Sequence, residues 1–140
     1  MQLILSDLEK IDKVAQEIIK YAGNEKIWLF EGEMGAGKTT LIKAICKQLG
    51  IVDDTSSPTF ALVNVYENKK EQEFYHFDFY RLEEEVEAID IGADEYFYSG
   101  RPCFIEWSDK IPSLIPSKNL KISINLDAER NRIISLSKHE

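Results

Sequence analysis

Cysteine, histidine and arginine are all scarce in this chain of 140 residues. The two cysteines, Cys46 and Cys103, lie far apart, each within an apolar stretch, and read as reduced core residues. No cysteine pair has metal-ligand spacing, and two histidines, His76 and His139, are too few for a histidine-rich metal site. Arginine occurs only as Arg81, Arg101, Arg130 and Arg132, and 25 acidic residues outweigh 17 basic ones for a net charge of −8. A surplus of that sign argues against binding nucleic acid through a broad basic surface. The N-terminus lacks the basic start and long apolar run of a secretory signal, and no run approaches transmembrane length. No membrane association is therefore expected, and the cytoplasm is the expected compartment. No repeat, linker or low-complexity segment interrupts the chain. What remains is ordinary for a globular protein, 44% apolar and 30% charged, and at this length one domain with a substantial core is expected.

Against that plain background one stretch stands out. Gly32, Glu33, Met34, Gly35, Ala36, Gly37, Lys38 and Thr39 match the pattern G-x-x-x-x-G-K-[ST]. Such a loop wraps backbone N–H groups around nucleotide phosphates. Lys38 is expected to reach the β- and γ-phosphates, and the Thr39 hydroxyl to ligate Mg2+. The phosphates would also meet the positive end of the helix that follows. The context fits. Residues 27–30 are an apolar run that reads as a buried strand. After the loop, Leu41, Ile42, Ala44, Ile45 and Leu49 recur at helical spacing before Gly50, a natural helix stop.

The rest of the chain reads as alternating strands and helices. Residues 1–5 form a short strand. Ser6 and Glu9 have the capping-box spacing, and the helix that follows lines up Leu8, Ile11, Val14, Ala15, Ile18, Ile19 and Ala22 before Gly23 ends it. Ser57, Pro58, Thr59 and Phe60 precede a strand over 61–66. This hydroxyl-bearing loop is either a nucleotide-responsive switch or a plain loop in which Pro58 sets the strand entry. The charged turn 67–71 predicts a hairpin with a strand over 73–77 that ends at Asp78. An acidic helix over 83–89 and a short one over 94–98 lead to a buried strand over 102–105, ending at Glu106 and Trp107. Residues 108–117, with Pro112 and Pro116, read as loop. Leu120, Ile122, Ile124 and Leu126, with Ile134 and Leu136 beyond a turn at 127–131, alternate as a C-terminal β-hairpin.

A phosphate site that uses Mg2+ needs an acid at the carboxyl end of a neighbouring strand. Asp78 and Glu106 both qualify, one to hold the metal and the other to orient water. The strand before Glu106 has the apolar run of a central parallel strand beside the phosphate loop. That puts Glu106 at or near the metal and leaves Asp78 as second ligand or water-orienter. Two other uses of such a loop are disfavoured. A guanine-reading N-K-x-D segment is approached by Asn68-Lys69-Lys70-Glu71, but this lies in a hairpin turn and ends in Glu. A small-molecule kinase usually adds an arginine-bearing lid, whereas Arg81 and Arg101 are isolated, and no arginine is placed by motif to reach a γ-phosphate.

Together these residues resemble the TsaE (YjeE) family, small bacterial ATPases of tRNA threonylcarbamoyladenosine synthesis. Residues 32–40 (GEMGAGKTT) look like its phosphate loop, which adds Thr40 to the nucleotide contacts. Residues 57–64 (SPTFALVN) are similar to its switch-like segment, and 76–82 (HFDFYRL) and 105–107 (IEW) to its two acidic strand ends. The resemblance implies an α/β fold, a three-layer sandwich like that of P-loop NTPases, with a mixed central sheet and added antiparallel hairpins, as a single P-loop ATPase domain over 1–140. It implies ATP and Mg2+, a catalytic set of Lys38, Glu106 and Asp78, a metal held by Thr39, Glu106 and Asp78, and Ser57 and Thr59 as switch residues at the nucleotide. The implied role lies in moving a threonylcarbamoyl group from its adenylate to N6 of adenosine 37 in tRNAs reading codons that begin with A. The implied partners are TsaD, which performs the transfer, and TsaB, with tRNA met only through that complex and ATP hydrolysis weak in their absence. A nucleotide-dependent binding module with incidental turnover, and a small P-loop kinase, are the alternatives. Three departures from the family pattern stand in the chain. Glu33 replaces the usual Asp, Ile11 stands where a Thr is common, and Ser108-Asp109 follow Trp107 in place of Pro-Glu, so nothing is carried over to those last two.

Overall fold

The computed structural model describes residues 1–33, 35–52 and 62–140. Among them run β1 (Gln2–Leu5), α1 (Ile11–Ala22), β2 (Ile27–Glu31), α2 (Lys38–Gln48), β3 (Val63–Glu67), β4 (Glu73–Asp78), α3 (Glu85–Asp90), α4 (Ala93–Phe97), β5 (Cys103–Glu106), β6 (Asn119–Leu126) and β7 (Arg132–His139). The strands share one sheet in the order β1-β7-β6-β2-β5-β4-β3. β2 lies between β5 and β6 and runs parallel to both, and β4 runs parallel to β5. Both hairpins expected from the sequence are present, and they form the flanks. β7 pairs antiparallel with β6 and β1, and β3 antiparallel with β4.

A central strand with helices on both faces has no solvent side, and the sequence of β2 reflects this. Ile27, Trp28, Leu29 and Phe30 are all buried. Strand periodicity divides them. Trp28 and Phe30 join Phe104, Leu120 and Ile122 under α1 and α2. Ile27 and Leu29 join Phe77, Cys103 and Ile105 under α3 and α4, which contribute Ala88, Ala93 and Phe97. The result is a three-layer α/β sandwich with an apolar core on each face of the sheet. Phe104 anchors one core, edge-on to Trp28 at 5.1 Å between ring centroids, and Phe77 anchors the other, edge-on to Phe97 at 5.1 Å. Truncating either ring to alanine would cost about 3–5 kcal/mol.

Polar local signals decide the ends of elements. The first helix is capped differently from its sequence pattern. Asp7, not Ser6, accepts from Glu9 N (2.9 Å) and opens a 3-10 turn over Leu8–Lys10, so α1 starts only at Ile11. A carboxylate binds a backbone N–H two residues on more tightly than a hydroxyl does, and here it wins. At α3, Glu87 reaches back to Glu83 N (2.8 Å) and Glu84 N (2.9 Å), shifting the start from 83 to Glu85. Asn68 serves the β3–β4 turn. Its Oδ1 accepts from Lys70 N and Gln72 N, and its Nδ2 donates to Leu49 O and Gln72 Oε1. The near-match to a guanine-reading motif is thus a structural turn.

The carboxyl ends of the parallel strands β6, β2, β5 and β4 all open on one edge of the sheet. In open α/β sheets that edge is where ligands bind. The helices are short, and among the described residues none is long and apolar enough to cross a membrane.

Candidate functional site

The loop between β2 and α2 turns directly over the sheet edge. Gly37 caps α2 with φ 105°, a left-handed conformation that a side chain rarely adopts, and Ala36 N bonds back to Glu33 O at 3.0 Å. A Cβ on Gly37 would lie 2.8 Å from Arg132 Nε, and one on Gly32 would lie 2.7 Å from the Ile124 carbonyl oxygen. Gly32 is therefore required by a backbone neighbour as well as by its angle, and Gly37 by its angle, with the Arg132 side chain packed close against it. Thr39 and Thr40 stand in the first turn of α2, at the helix end whose N–H groups face an incoming anion.

Beneath the loop the structure brings together the three residues expected to carry the chemistry. Asp78 and Glu106 end adjacent parallel strands and are direct register partners. Lys38, 7% exposed, feels both carboxylates and Asp109. Burial lowers the pKa of its ammonium, against the pull of Glu106, Asp78 and Asp109. The half-buried Asp78 is pushed the other way. Desolvation raises its pKa and Glu106 adds to the rise, while a hydrogen bond from Tyr80 N (3.0 Å) and the nearby His76 and Lys38 oppose it. Glu106 is 3% exposed, and its Oε2 lies 2.8 Å from His76 Nε2. On its other side His76 Nδ1 lies 2.8 Å from the Tyr66 hydroxyl.

Trp107 follows Glu106 with φ 59° and ψ 44°, in the left-handed region that an indole side chain seldom occupies. Held there, its ring packs on Tyr80 (5.0 Å between centroids) and lies 3.7 Å from Lys38 Nζ. A cation–π contact is worth about 0.5–2 kcal/mol. A hydrogen bond between charged groups contributes about 1.5–3 kcal/mol, so a bound phosphate chain would draw the ammonium off the ring.

Arg132 completes the site from the far flank of the sheet. Its Nε donates to Ala36 O at 3.1 Å across 96 positions of sequence. It lines a cavity of about 290 Å³ with Gly35, Gly37, Lys38, Thr39, Thr40 and Trp107. A second cavity of about 270 Å³ continues past Lys38 and Trp107 to Gly32, Ser108 and Asp109. Sequence reasoning missed Arg132, Asp109 and His76. No motif signals an arginine at the start of a hairpin strand, and Asp109 departs from the pattern that would have drawn attention to it. His76 stands in the sequence as one of two histidines and as the first residue of the 76–82 segment, with no signal of a role of its own. Of the residues expected at the nucleotide, Gly32, Glu33, Gly35, Ala36, Gly37, Lys38, Thr39 and Thr40 form the loop and helix start. Met34, Ser57 and Thr59 lie outside the described residues.

The donor set fits a magnesium nucleotide. A threonine hydroxyl and two carboxylates are hard oxygen ligands of the kind Mg2+ takes. Among the described residues no group of three or more His, Cys, Asp and Glu could hold a metal ion by itself.

A family model described as threonylcarbamoyl adenosine biosynthesis protein TsaE matches residues 5–134. The chain is 35% identical over 129 residues to the tRNA threonylcarbamoyladenosine biosynthesis protein TsaE of Bacillus subtilis (strain 168), covering 92% of this chain and 80% of that protein. It is 37% identical over 109 residues to the protein of the same name from Treponema pallidum (strain Nichols), covering 78% and 79%. The crystal structure of Bacillus subtilis YdiB superposes with a TM-score of 0.81 at 27% identity, covering all of this chain and 86% of that one.

Proposed function

The chain belongs to the TsaE family, whose role is in tRNA threonylcarbamoyladenosine biosynthesis, and from that premise we propose that it is a Mg2+-dependent ATPase serving threonylcarbamoyl transfer to N6 of adenosine 37. The observation that carries this reading is the meeting of Lys38, Asp78 and Glu106 under a glycine loop at the open edge of the sheet. Lys38 binds the β- and γ-phosphates, which replace Trp107 as its partner. The backbone N–H groups of 32–39 and the start of α2 cradle the phosphate oxygens. Thr39 and Glu106 would hold the metal, which would supply charge neutralisation at the phosphates. Asp78, the more exposed carboxylate with the raised pKa, orients the attacking water or shares the metal. Ser57 and Thr59 respond to the γ-phosphate.

Arg132 alters one part of the expectation from sequence. A cation supplied within the chain already stands at the loop, hydrogen-bonded to Ala36 O. The proposal is therefore that Arg132 shapes and binds, and that full turnover needs TsaD and TsaB to order the site. A net charge of −8 supports contact with proteins rather than directly with tRNA. The setting is the cytoplasm.

Lys38→Ala tests the site. It should keep the native circular dichroism spectrum and lose ATP binding and hydrolysis, and a folded variant that hydrolyses ATP at the wild-type rate would sink the assignment. Glu106→Gln should raise the Mg2+ needed for ATP binding, whereas Asp78→Asn should mainly slow hydrolysis. For the partners, titration with TsaD–TsaB should show ATP and the pair tightening each other's binding by the same factor. Affinity that ignores the nucleotide, with a rate that ignores the partners, would leave a nucleotide-binding protein with another task.

A further inference from the structure

His76 is fully buried in the middle of β4, on the face that holds Phe74 and Phe104. An imidazole in such a place costs stability unless both nitrogens are paired, and here both are, at 2.8 Å each. A histidine satisfied in this way is commonly no more than a core residue. What distinguishes this one is the identity of its partners. One is the hydroxyl of Tyr66, 2% exposed on β3, and the other is the Glu106 carboxylate on β5. The three side chains cross three adjacent strands and end at the residue that faces the metal.

The chemistry of the partners orients the chain of hydrogen bonds. An ionised carboxylate can only accept, so His76 Nε2 carries the hydrogen. In the neutral ring Nδ1 is then the acceptor, and the Tyr66 hydroxyl donates to it. We infer that Tyr66 and His76 are positioning residues that hold the Glu106 carboxylate by its Oε2 and so set its rotamer and plane toward Mg2+ at the nucleotide phosphates. This rests on the proposed role of Glu106. Outer partners of this kind fix the rotamer and plane of a metal-facing group, and their loss typically weakens metal affinity 10- to 100-fold. Neither Tyr66 nor His76 has to touch nucleotide or metal for this effect.

The test is calorimetric titration with a non-hydrolysable ATP analogue over a series of Mg2+ concentrations, with thermal melting measured in parallel. Glu106→Gln comes first. If it leaves the Mg2+ requirement unchanged, the reading of the site fails, and the relay with it. Given a shift there, His76→Asn, which retains only the Nδ1-like group facing Tyr66, should raise the Mg2+ requirement about tenfold or more. His76→Gln, which keeps an N–H donor at the Nε2 position, should restore it to within about threefold of wild type. A purely structural His76 would lower the melting temperature in both variants and leave the Mg2+ requirement alike in both, which overturns the proposal. If the Asn variant fails to fold, the wild-type protein still decides through its imidazole nitrogen spectrum. His76 protonated at Nε2 with Nδ1 accepting supports the relay, and the opposite tautomer refutes it.

Discussion

Lys38 and Asp78 are each held against their preferred charge. Burial favours the neutral form of both, lowering the pKa of the lysine and raising that of the aspartate. The nearby opposite charges pull each back toward its charged form, Glu106 and Asp78 acting on Lys38 and Lys38 on Asp78, and phosphate and metal would add to that pull. For Asp78 the consequence for stability can be given a sign. Its pKa is higher in the folded than in the unfolded chain, so the contribution it makes is complete below the unfolded value of about 3.9 and is lost as pH rises through the raised folded value. Asparagine is a permanent mimic of the protonated form. Asp78→Asn should therefore match wild type in the acid range and exceed it in stability above that window, as measured by denaturant unfolding across pH in the absence of nucleotide. A variant no more stable than wild type at neutral pH would mean that Asp78 is well solvated. Lys38, Asp78 and Glu106 could be found from sequence because each follows an apolar run or a glycine motif that fixes its place. His76 could not, because its meaning comes from Tyr66 and Glu106, which lie 10 and 30 positions away.

The loop between β2 and α2 depends on β7, the last element among the described residues. β7 returns beside β6, and its first residue, Arg132, reaches over Gly37 to the Ala36 carbonyl. The hairpin itself was legible, since alternation over residues 120–126 and the Asp127 turn specify it. Asp127 Oδ1 accepts from both Glu129 N and Asn131 N. Its position in the sheet was not. Local patterns define strands and turns, whereas strand order follows from which apolar faces pack together, and that is settled over long separations. The cap of α1 shows the same limit at short range, where Asp7 displaced Ser6 because two good caps competed. Arg132→Ala should lower nucleotide affinity about 10- to 150-fold, since a hydrogen bond to a charged donor is worth about 1.5–3 kcal/mol, with little change in melting temperature. Lysine should fail to restore it, because an ammonium cannot both hold the Ala36 carbonyl and present a planar fork to phosphate. Equilibrium binding of ATP to the three proteins checks this, and unchanged affinity in the alanine variant would make Arg132 a packing residue alone.

Across the whole molecule, the two scarce cysteines report whether ligand binding is coupled to the stability of the sheet. Cys46 lies in α2 and Cys103 in β5, each fully buried, and burial pushes both thiols up to about 12. Only a thiolate reacts with an alkylating reagent at useful speed, so modification at neutral pH requires opening of the structure. The two residues belong to opposite cores, one on each face of the sheet. Their reaction rates together distinguish a local opening from global unfolding. A nucleotide that binds the folded state alone adds RT ln(1 + [L]/Kd), about 2.7 kcal/mol at a hundredfold excess over Kd. For a chain of this size that corresponds to roughly 8–10 °C in melting temperature. If both thiols react through global unfolding, Mg·ATP at that excess should slow both about 100-fold, the same free energy read as a rate. Lys38→Ala should remove both effects. Slowing of Cys46 alone would mean that the nucleotide steadies α2 without stabilising the sheet, and slowing of neither, despite measured binding, would show that the thiols react through openings the site does not control.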